Sequence, residues 1–423
     1  MNKNLHKLLK WLILLLLTGI TAGVVASLLI ELIRSIQTLS FGYNPEASLK
    51  QDIRGVAASR RFLSVLLAGF VAAFGWHLMA KKMQPLRTIK EIIHDQKSFN
   101  SLTHFYHGLI QLITVSMGSP LGREGAAREV ATALTGFWLR FWKVDREDKI
   151  LLLACSSGAA LGAVYNAPLA SLIFIIENIV RKWNRKNLTA AIIVSFVAVW
   201  TVRFLSGREV QYQLPQLKWN QDLFLWAIFA TVLITCIILA YQKLLTSIPQ
   251  RNLKSKKFFL FTLLAFSLVA CLSIFYPHIL GNGKAGLIYY LHDKFDLSYA
   301  LGLLLAKGFA VYITFFAGAY GGRIAPSMMM GGGLALLLAS FWNKTFHSQI
   351  PIQFAIIIGA AIFLAIINKI PLAATLFLIE ISGQPLINAL PVALAMTVAY
   401  LTQAILSKLF KKASSLQSKK QKS

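Results

Sequence analysis

The stretch Gly-Ser-Pro-Leu-Gly-Arg-Glu-Gly-Ala-Ala-Arg-Glu-Val-Ala-Thr-Ala-Leu, residues 118–134, decides the fold because it places charged residues between two apolar runs. Ser119 is a good helix N-cap, so the sequence predicts helix from Ala126 onward. Glycines at positions 118, 122 and 125 leave backbone N–H groups accessible at this helix N-terminus, which favours an anion. Glu124 places a carboxylate within the same site. The alternative is that Glu124 only complements the helix dipole and pairs with Arg128 at i+4.

The composition indicates a polytopic membrane protein. The chain has 423 residues, of which 56% are hydrophobic and 14% charged, and its mean hydropathy is +0.62. Several apolar runs approach or exceed the roughly 20 residues that span a bilayer. The first run continues to about Ile33, too long for a signal peptide, and the lysines before it predict a cytoplasmic N-terminus. We expect a multi-pass protein of a bacterial inner (plasma) membrane.

The net charge of +27 lies mainly in loops and tails. The positive-inside bias and contact with anionic lipid explain such a distribution, so no nucleic-acid partner is predicted. Cys155, Cys236 and Cys271 fall in apolar runs without the spacing of metal ligands and are interpreted as packing residues. The sequence predicts no metal and no cofactor.

The chain contains an internal repeat. Residues 168–177 (PLASLIFIIE) match residues 371–380 (PLAATLFLIE) at six of ten positions, at an offset of 203. Gly122 and Arg123 recur as Gly322 and Arg323 at an offset of 200. The repeat predicts an all-α polytopic membrane protein of two inverted-topology repeats, built from tilted and broken transmembrane helices. Such folds bind substrate at the repeat interface, so the turn at Ile324 should face the site of the first half.

The domain organisation follows from the repeat. We expect a first membrane repeat over residues 1–205, a connection over 206–221 and a second repeat over 222–410. The lysine- and serine-rich tail at 411–423 is predicted to be disordered, with no soluble regulatory domain after it.

Three motifs resemble the chloride channel (CLC) family of anion channels and proton-coupled anion exchangers. Gly122-Arg123-Glu124-Gly125 resembles the family's G-R-E-G signature, and Asn166-Ala167-Pro168-Leu169-Ala170 with Glu177 resembles its N-A-P-L-A…E helix. Gly322-Arg323-Ile324-Ala325-Pro326 resembles its G-x-F-x-P turn. The resemblance covers the chain from about Gly118 to Gly383.

The resemblance implies a homodimer in which each subunit carries its own anion pathway through the lipid bilayer. It implies that Glu124 is the gating glutamate. The anion would be held by helix N-termini, at Gly122, Arg123, Gly125, Ile324 and Ala325. The predicted function is chloride transport, as a CLC-type voltage-gated channel or a passive anion pathway.

Four positions depart from the family's pattern. Ala126 replaces the proline after G-R-E-G, and Asn178, next to Glu177, replaces the proton-accepting glutamate of the exchangers. The serine-bearing G-S-G-I-P turn has only Met83 and Pro85 near its register, and Ile324 replaces the phenylalanine of G-x-F-x-P. The best candidate for the family's late tyrosine is Phe410. These candidate inner-gate residues lack the hydroxyls that contact the anion in much of the family.

Two alternatives remain open at the level of sequence. One is proton-coupled exchange of chloride or fluoride, with Glu124 as the retained proton carrier and water or Glu177 completing the path. The other, more distant, is an intramembrane enzyme. His104 and His107 have the spacing to share a metal, but Thr103 to Met117 offers no carboxylate, and no Gly-x-Ser-x-Gly turn is present. We therefore predict that the chain is not an enzyme.

Overall fold

The chain was analysed as a computed structural model that describes residues 3–42, 53–87, 91, 99–208, 210–292 and 295–420. Within these ranges it forms fifteen α-helices and no β-strand. They are α1 (Lys3–Phe41), α2 (Ala58–Lys82), α3 (Ser101–Ser116), α4 (Glu124–Trp138), α5 (Arg146–Tyr165), α6 (Pro168–Phe174), α7 (Arg185–Ser206), α8 (Gln221–Thr246), α9 (Lys256–Phe275), α10 (Lys284–Leu291), α11 (Leu297–Phe316), α12 (Ile324–Phe346), α13 (Ile352–Asn368), α14 (Pro371–Ile381) and α15 (Ala389–Lys420). A π-helical turn, Ile175–Val180, follows α6.

Nine helices of the described ranges are long and apolar enough to cross a bilayer. They differ in how far they are enclosed by the rest of the protein. In the most apolar 18 residues of each helix, the buried share is 83% in α5 and 78% in α12. The corresponding share is 39% in α7, α9 and α11. The enclosed helices α5 and α12 therefore form the interior, and the others turn apolar side chains outward to lipid.

The two halves form inverted repeats. α2 packs on its second-half equivalent α9, and α6 packs on its equivalent α14, so these pairs meet across the pseudo-twofold axis. Small residues allow the approach: the Cα of Gly69 on α2 lies against the side chain of Phe266 on α9. The predicted fold class is confirmed.

Corresponding turns repeat the same backbone conformation. α5 ends at Asn166 with φ of 58°, and α13 ends at Lys369 with φ of 59°. In each case a proline two residues later opens the next short helix, at Pro168 and Pro371. The broken helices predicted from the Pro-Leu-Ala motif thus arise from one turn used twice.

The C-terminal segment is more regular than its composition predicts. α15 continues to Lys420, so residues 411–420 are helical where the composition predicted disorder. The physical reason is that lysine, leucine, glutamine and alanine all extend a helix readily once an apolar helix precedes them. Residues 88–96 have an amphipathic pattern that predicts a helix, and they lie almost wholly outside the described residues.

Candidate anion site at the junction of the two repeats

The two glycine-rich turns meet at the centre of the molecule. The Gly122 N–H donates to the Gly322 carbonyl at 2.8 Å, and the Gly322 N–H donates to the Gly122 carbonyl at 2.7 Å. These reciprocal hydrogen bonds form an isolated antiparallel bridge between two equivalent residues that are 200 positions apart in the chain. The bridge brings the N-termini of α4 and α12 to one point.

The Glu124 carboxylate lies at the N-terminus of α12. Its Oε1 accepts the Ile324 N–H at 2.5 Å and the Ala325 N–H at 3.3 Å. These N–H groups belong to the first turn of α12 and have no partner within the helix. The side chain is 1% exposed, and Oε2 is buried without a hydrogen-bond partner. One carboxylate oxygen therefore occupies the place that a helix N-terminus offers to an anion.

Glycine is needed at both turns because the carboxylate packs directly on the backbone. A Cβ atom at Gly122 or at Gly322 would collide with the Glu124 carboxyl group. A Cβ at Gly125 would collide with the Gln111 side-chain oxygen. The glycine spacing that predicted an accessible backbone thus serves to seat the side chain of Glu124 between the halves.

Arg128 forms no salt bridge with Glu124, although its charge attracts that carboxylate, so the close i+4 pair of the alternative reading is not formed. The Arg128 Nε donates to the Ser157 hydroxyl at 3.2 Å, and its guanidinium lies 5.1 Å from the centre of the Phe174 ring. Arg123 is buried beside the site, where its charge attracts the Glu124 carboxylate. The carboxylate is therefore held by the backbone N–H groups of Ile324 and Ala325 in the other half, together with the backbone N–H of Glu124 itself.

Lys307 is a buried cation near the site that the sequence analysis did not identify. The residue on α11 is fully buried, and its Nζ donates to the carbonyls of Ile279 at 2.7 Å and Gly281 at 2.9 Å. Electrostatic attraction links it to Glu124. A lone lysine inside the apolar sequence of α11 was the available signal, since a charge at membrane depth is costly and usually has a role.

Glu177 and Glu380 each cap the short helix of the other half. Glu177 accepts the N–H groups of Leu372 (3.1 Å) and Ala373 (2.8 Å) at the start of α14. Glu380 accepts those of Leu169 (3.0 Å) and Ala170 (2.7 Å) at the start of α6. This geometry gives Glu177 a capping role, and its predicted place on a proton path stays a prediction. Its recurrence as Glu380 was the signal for reciprocal caps.

No hydrogen bond joins Asn178, Met83 or Pro85 to Glu124 in the described part of the chain. Asn178 is buried and donates from Nδ2 to the Asn368 carbonyl at 3.0 Å. Met83 caps the C-terminus of α2 and is half-buried, and Pro85 just after it is exposed. The side chain of Phe410 lies outside the described residues. The inner-gate assignment of these three residues stays a prediction.

The three cysteines lie on three different helices. Cys155 is buried within α5, Cys236 is half-buried and Cys271 is exposed on the apolar surface. In the part of the chain that the structure describes, no three His, Cys, Asp or Glu side chains are grouped as ligands of a metal ion.

Inverted repeats whose helix N-termini converge on one acidic side chain define a membrane transport fold. The chain belongs to the voltage-gated chloride channel family, whose sequence profile matches residues 63–404. This is a family of channels and transporters, as the resemblance of the three motifs predicted.

Curated relatives match along almost their whole length. The ClC-type voltage-gated chloride channel ClcB of Salmonella typhi is 25% identical over 393 residues, which cover 87% of this chain and 91% of that protein. ClcB of Escherichia coli strain SMS-3-5 is 26% identical over 381 residues, with the same coverage of both chains.

Solved structures confirm the fold. A slow cyanobacterial Cl−/H+ antiporter superposes with a TM-score of 0.78 at 19% identity, covering 94% of each chain. A CLC-type fluoride/proton antiporter superposes with a TM-score of 0.72 at 16% identity, covering 95% of this chain and 96% of that one.

Proposed function

We propose that this protein moves chloride across a bacterial inner membrane through a pathway gated by Glu124. The observation that carries the proposal is the position of the Glu124 carboxylate on the N–H groups of Ile324 and Ala325. Backbone N–H groups at a helix N-terminus bind anions in general, and a carboxylate oxygen here stands in for the transported anion.

Gating follows from competition for these N–H groups. A chloride ion that reaches the N-terminus of α12 replaces the carboxylate, or protonation weakens the carboxylate as an acceptor and releases it. Because Gly122 and Gly322 have no side chain, only backbone atoms of these two residues lie against the Glu124 carboxylate. The attraction of Lys307 and Arg123 for Glu124 would extend to an anion at the same place.

Chloride is favoured over fluoride by the bacterial relatives named as chloride channels, which match over most of their length. Their bacterial origin also supports placement in an inner membrane. Proton-coupled exchange is the second candidate, and the acidic group at the site favours it because Glu124 can carry a proton. No enzymatic step is assigned.

The assembly proposed is a homodimer, as the family resemblance implies. The structure leaves large apolar side chains on the outside of α7, where Trp200 is 66% exposed and Phe204 is 89% exposed. Such a surface faces lipid or a second copy of the chain. Cysteine cross-linking of this face in native membranes distinguishes the two.

Chloride efflux from proteoliposomes tests the proposal. We expect the wild-type protein to release chloride with a rate that depends on pH, and Glu124→Ala to release chloride at a rate that no longer does. Glu124→Gln, which keeps the size of the side chain but not its charge, should resemble Glu124→Ala. Chloride should be compared with fluoride in the same vesicles. Wild-type vesicles that release neither anion, or unchanged pH dependence in Glu124→Ala, would contradict the assignment.

A further inference from the structure

A cluster of two histidines and a glutamate lies between α3 and α4, close to the anion site. The Nδ1 atom of His104 contacts Oε2 of Glu129, and the Nδ1 atom of His107 lies 3.9 Å from Oε1 of the same carboxylate. Both histidine rings are buried, whereas the Glu129 side chain keeps 14% exposure. The carboxylate missing from residues 103–117 in the sequence thus comes from the neighbouring helix.

The hydrogen bond from Gln111 determines the tautomer of His107. The Gln111 Nε2 lies 2.8 Å from the His107 Nδ1, and an amide nitrogen only donates. Neutral His107 therefore accepts at Nδ1 and carries its hydrogen on Nε2. That Nε2 atom is buried without a hydrogen-bond partner. Buried polar atoms are normally satisfied, and an unsatisfied one indicates a functional or water-binding position.

At the end of the cluster nearer the anion site, Gln111 and His107 contact residues that surround Glu124. The Gln111 side-chain oxygen lies against the backbone of Gly125, next to Glu124. The His107 ring meets the Tyr320 ring edge to face at 4.7 Å, and Tyr320 is two residues before the bridging Gly322. The Glu124 Oε2 atom is also buried without a partner. His107 Nε2, which can donate, and Glu124 Oε2, which can accept, are thus both without a partner, and Gln111 and Tyr320 connect their surroundings.

The end of the cluster farther from the anion site, at His104 and Glu129, lies on the same side of the protein as the basic N-terminal segment. The start of α3 packs on the end of α4, since Gly136 lies against Phe99 and Ser101. Beyond α4, the Lys10 ammonium contacts the Lys143 carbonyl. Positively charged segments of this kind remain in the cytoplasm. His104 and Glu129 therefore lie between the anion site and the cytoplasmic side.

We propose that Glu129 and His107 form a proton route between the cytoplasm and Glu124. The proposal rests on the chloride transport proposed above and adds proton coupling to it. In the inward step, the Gln111 amide turns away from His107 Nδ1 and the Glu129 carboxyl group closes the 3.9 Å to that atom. The O–H bond of protonated Glu129 then breaks and an N–H bond forms at His107 Nδ1. The proton on His107 Nε2 passes to a water molecule, which gives one of its own protons to Glu124 Oε2. The neutral imidazole keeps its hydrogen on Nδ1, and a rotation of the side chain exchanges the positions of its two nitrogens, so that an unprotonated nitrogen again faces Glu129.

This route replaces the one that Asn178 interrupts. An amide carries no proton at physiological pH, and the Asn178 side chain is already bonded to the Asn368 carbonyl. Histidine and glutamate are the side chains best suited to proton transfer. The charged and titratable groups around His107 are His104 on α3, Glu129 and Arg128 on α4, and Tyr320 in the second turn. Gln111 and the Trp76 ring complete its surroundings.

The experiment measures chloride efflux and proton movement in the same proteoliposomes under a chloride gradient. We expect wild-type vesicles to move protons against the chloride flux. Glu129→Gln and His107→Gln should each lower the ratio of protons to chloride by about tenfold or more, the size of effect that a lost proton carrier produces. Chloride flux should stay within about twofold, because neither side chain bonds to the anion site. The matched control is His77→Gln, since His77 bonds only to the Leu253 carbonyl on another surface.

Each outcome bears on the proposal. An unchanged proton-to-chloride ratio in both variants would overturn it, as would an equal loss in His77→Gln. Chloride flux without proton movement in the wild-type protein would overturn the proton route and leave the proposed chloride transport standing. Absence of chloride flux would overturn both. If Glu129→Gln does not fold, His107→Gln decides alone, and Asn178→Ala should leave the ratio unchanged.

Discussion

The glycine-rich turns of the two halves have the same backbone conformation but differ in the side chain that follows the shared arginine. Gly118 and Gly318 both adopt positive φ, at 113° and 94°, and the hydrogen bonds around them recur at an offset of 200. At the position after the shared arginine, the first turn carries Glu124 and the second carries Ile324. The first half therefore supplies the charge, and the second half supplies two of the N–H groups that hold it.

The same offset relates two buried basic side chains. His107 on α3 and Lys307 on α11 occupy equivalent positions, each followed by glycine. His107 contacts a carboxylate that keeps some exposure, whereas Lys307 bonds only to backbone carbonyls. The two basic groups therefore have different surroundings, a side-chain carboxylate for the imidazole and backbone carbonyls for the ammonium. Duplication preserved the scaffold while the two halves came to serve different functions.

The largest effect is expected for Lys307→Met, which removes the second-half cation. The substitution keeps the length of the side chain but leaves the Ile279 and Gly281 carbonyls without their donor and Glu124 without its attraction. Loss of one partner from a buried charged network costs about 3 kcal/mol or more. Denaturant unfolding in detergent measures the loss. Lys344→Met, at an exposed lysine of α12, is the control and should change little. Equal stability of the two variants would show that Lys307 has no structural role.

Gly322→Ala tests whether the two turns must approach this closely. The new methyl group would collide with the Glu124 carboxyl group, so we expect displacement of the carboxylate and a loss of about 2 kcal/mol. Chloride flux should lose its pH dependence, as in Glu124→Ala. Gly308→Ala is the control, because its nearest neighbour atom would be 3.8 Å away. Wild-type gating in Gly322→Ala would refute the seating of Glu124 described here.

Glu177→Gln and Glu380→Gln test the equivalence of the two reciprocal caps. Each substitution replaces one accepting oxygen by an N–H donor facing a backbone N–H, and we expect each to cost about 1 to 2 kcal/mol. The two losses should be similar and should add in the double variant. Glu31→Gln, which affects an ion pair with Arg34 on the outside of α1, should cost less than about 0.5 kcal/mol. A large loss of unfolding free energy in only one of the two variants would show that the two caps are not equivalent.

The smallest effect is expected for Ala126→Pro, which makes the first turn match both the second and the family pattern. Pro326 occupies the equivalent position in α12, where its missing N–H is not needed. In α4 the first backbone bond of the helix comes from Ala127 to the Arg123 carbonyl, so the Ala126 N–H is also dispensable. We expect a change in unfolding free energy within about 1 kcal/mol, measured as a small shift in Tm. A loss several times larger would show that the two turns differ in backbone requirement.

The sequence predicted the elements that depend on local pattern and on the repeat. The glycine spacing, the Pro-Leu-Ala helices and the offset near 200 together placed Glu124 opposite Ile324 and Ala325, where the structure has them. Contacts between side chains far apart in the chain were not predictable in this way. Glu129 meets His104 only because α3 and α4 pack together, and nothing in the spacing of these residues fixes how the two helices are rotated about their axes. The two reciprocal caps were visible as a repeated glutamate but not as bonds.

The bridge between Gly122 and Gly322 has a consequence for how the protein is made. The anion site needs atoms on both sides of a 200-residue separation, so it is absent while only the first half has left the ribosome. At about 5 to 20 residues per second, synthesis of the intervening chain takes about 10 to 40 seconds. Throughout that interval Glu124 and His107 belong to a half-built bundle without their final neighbours. A nascent chain of this kind depends on the insertion machinery to shelter its charges until the second turn arrives.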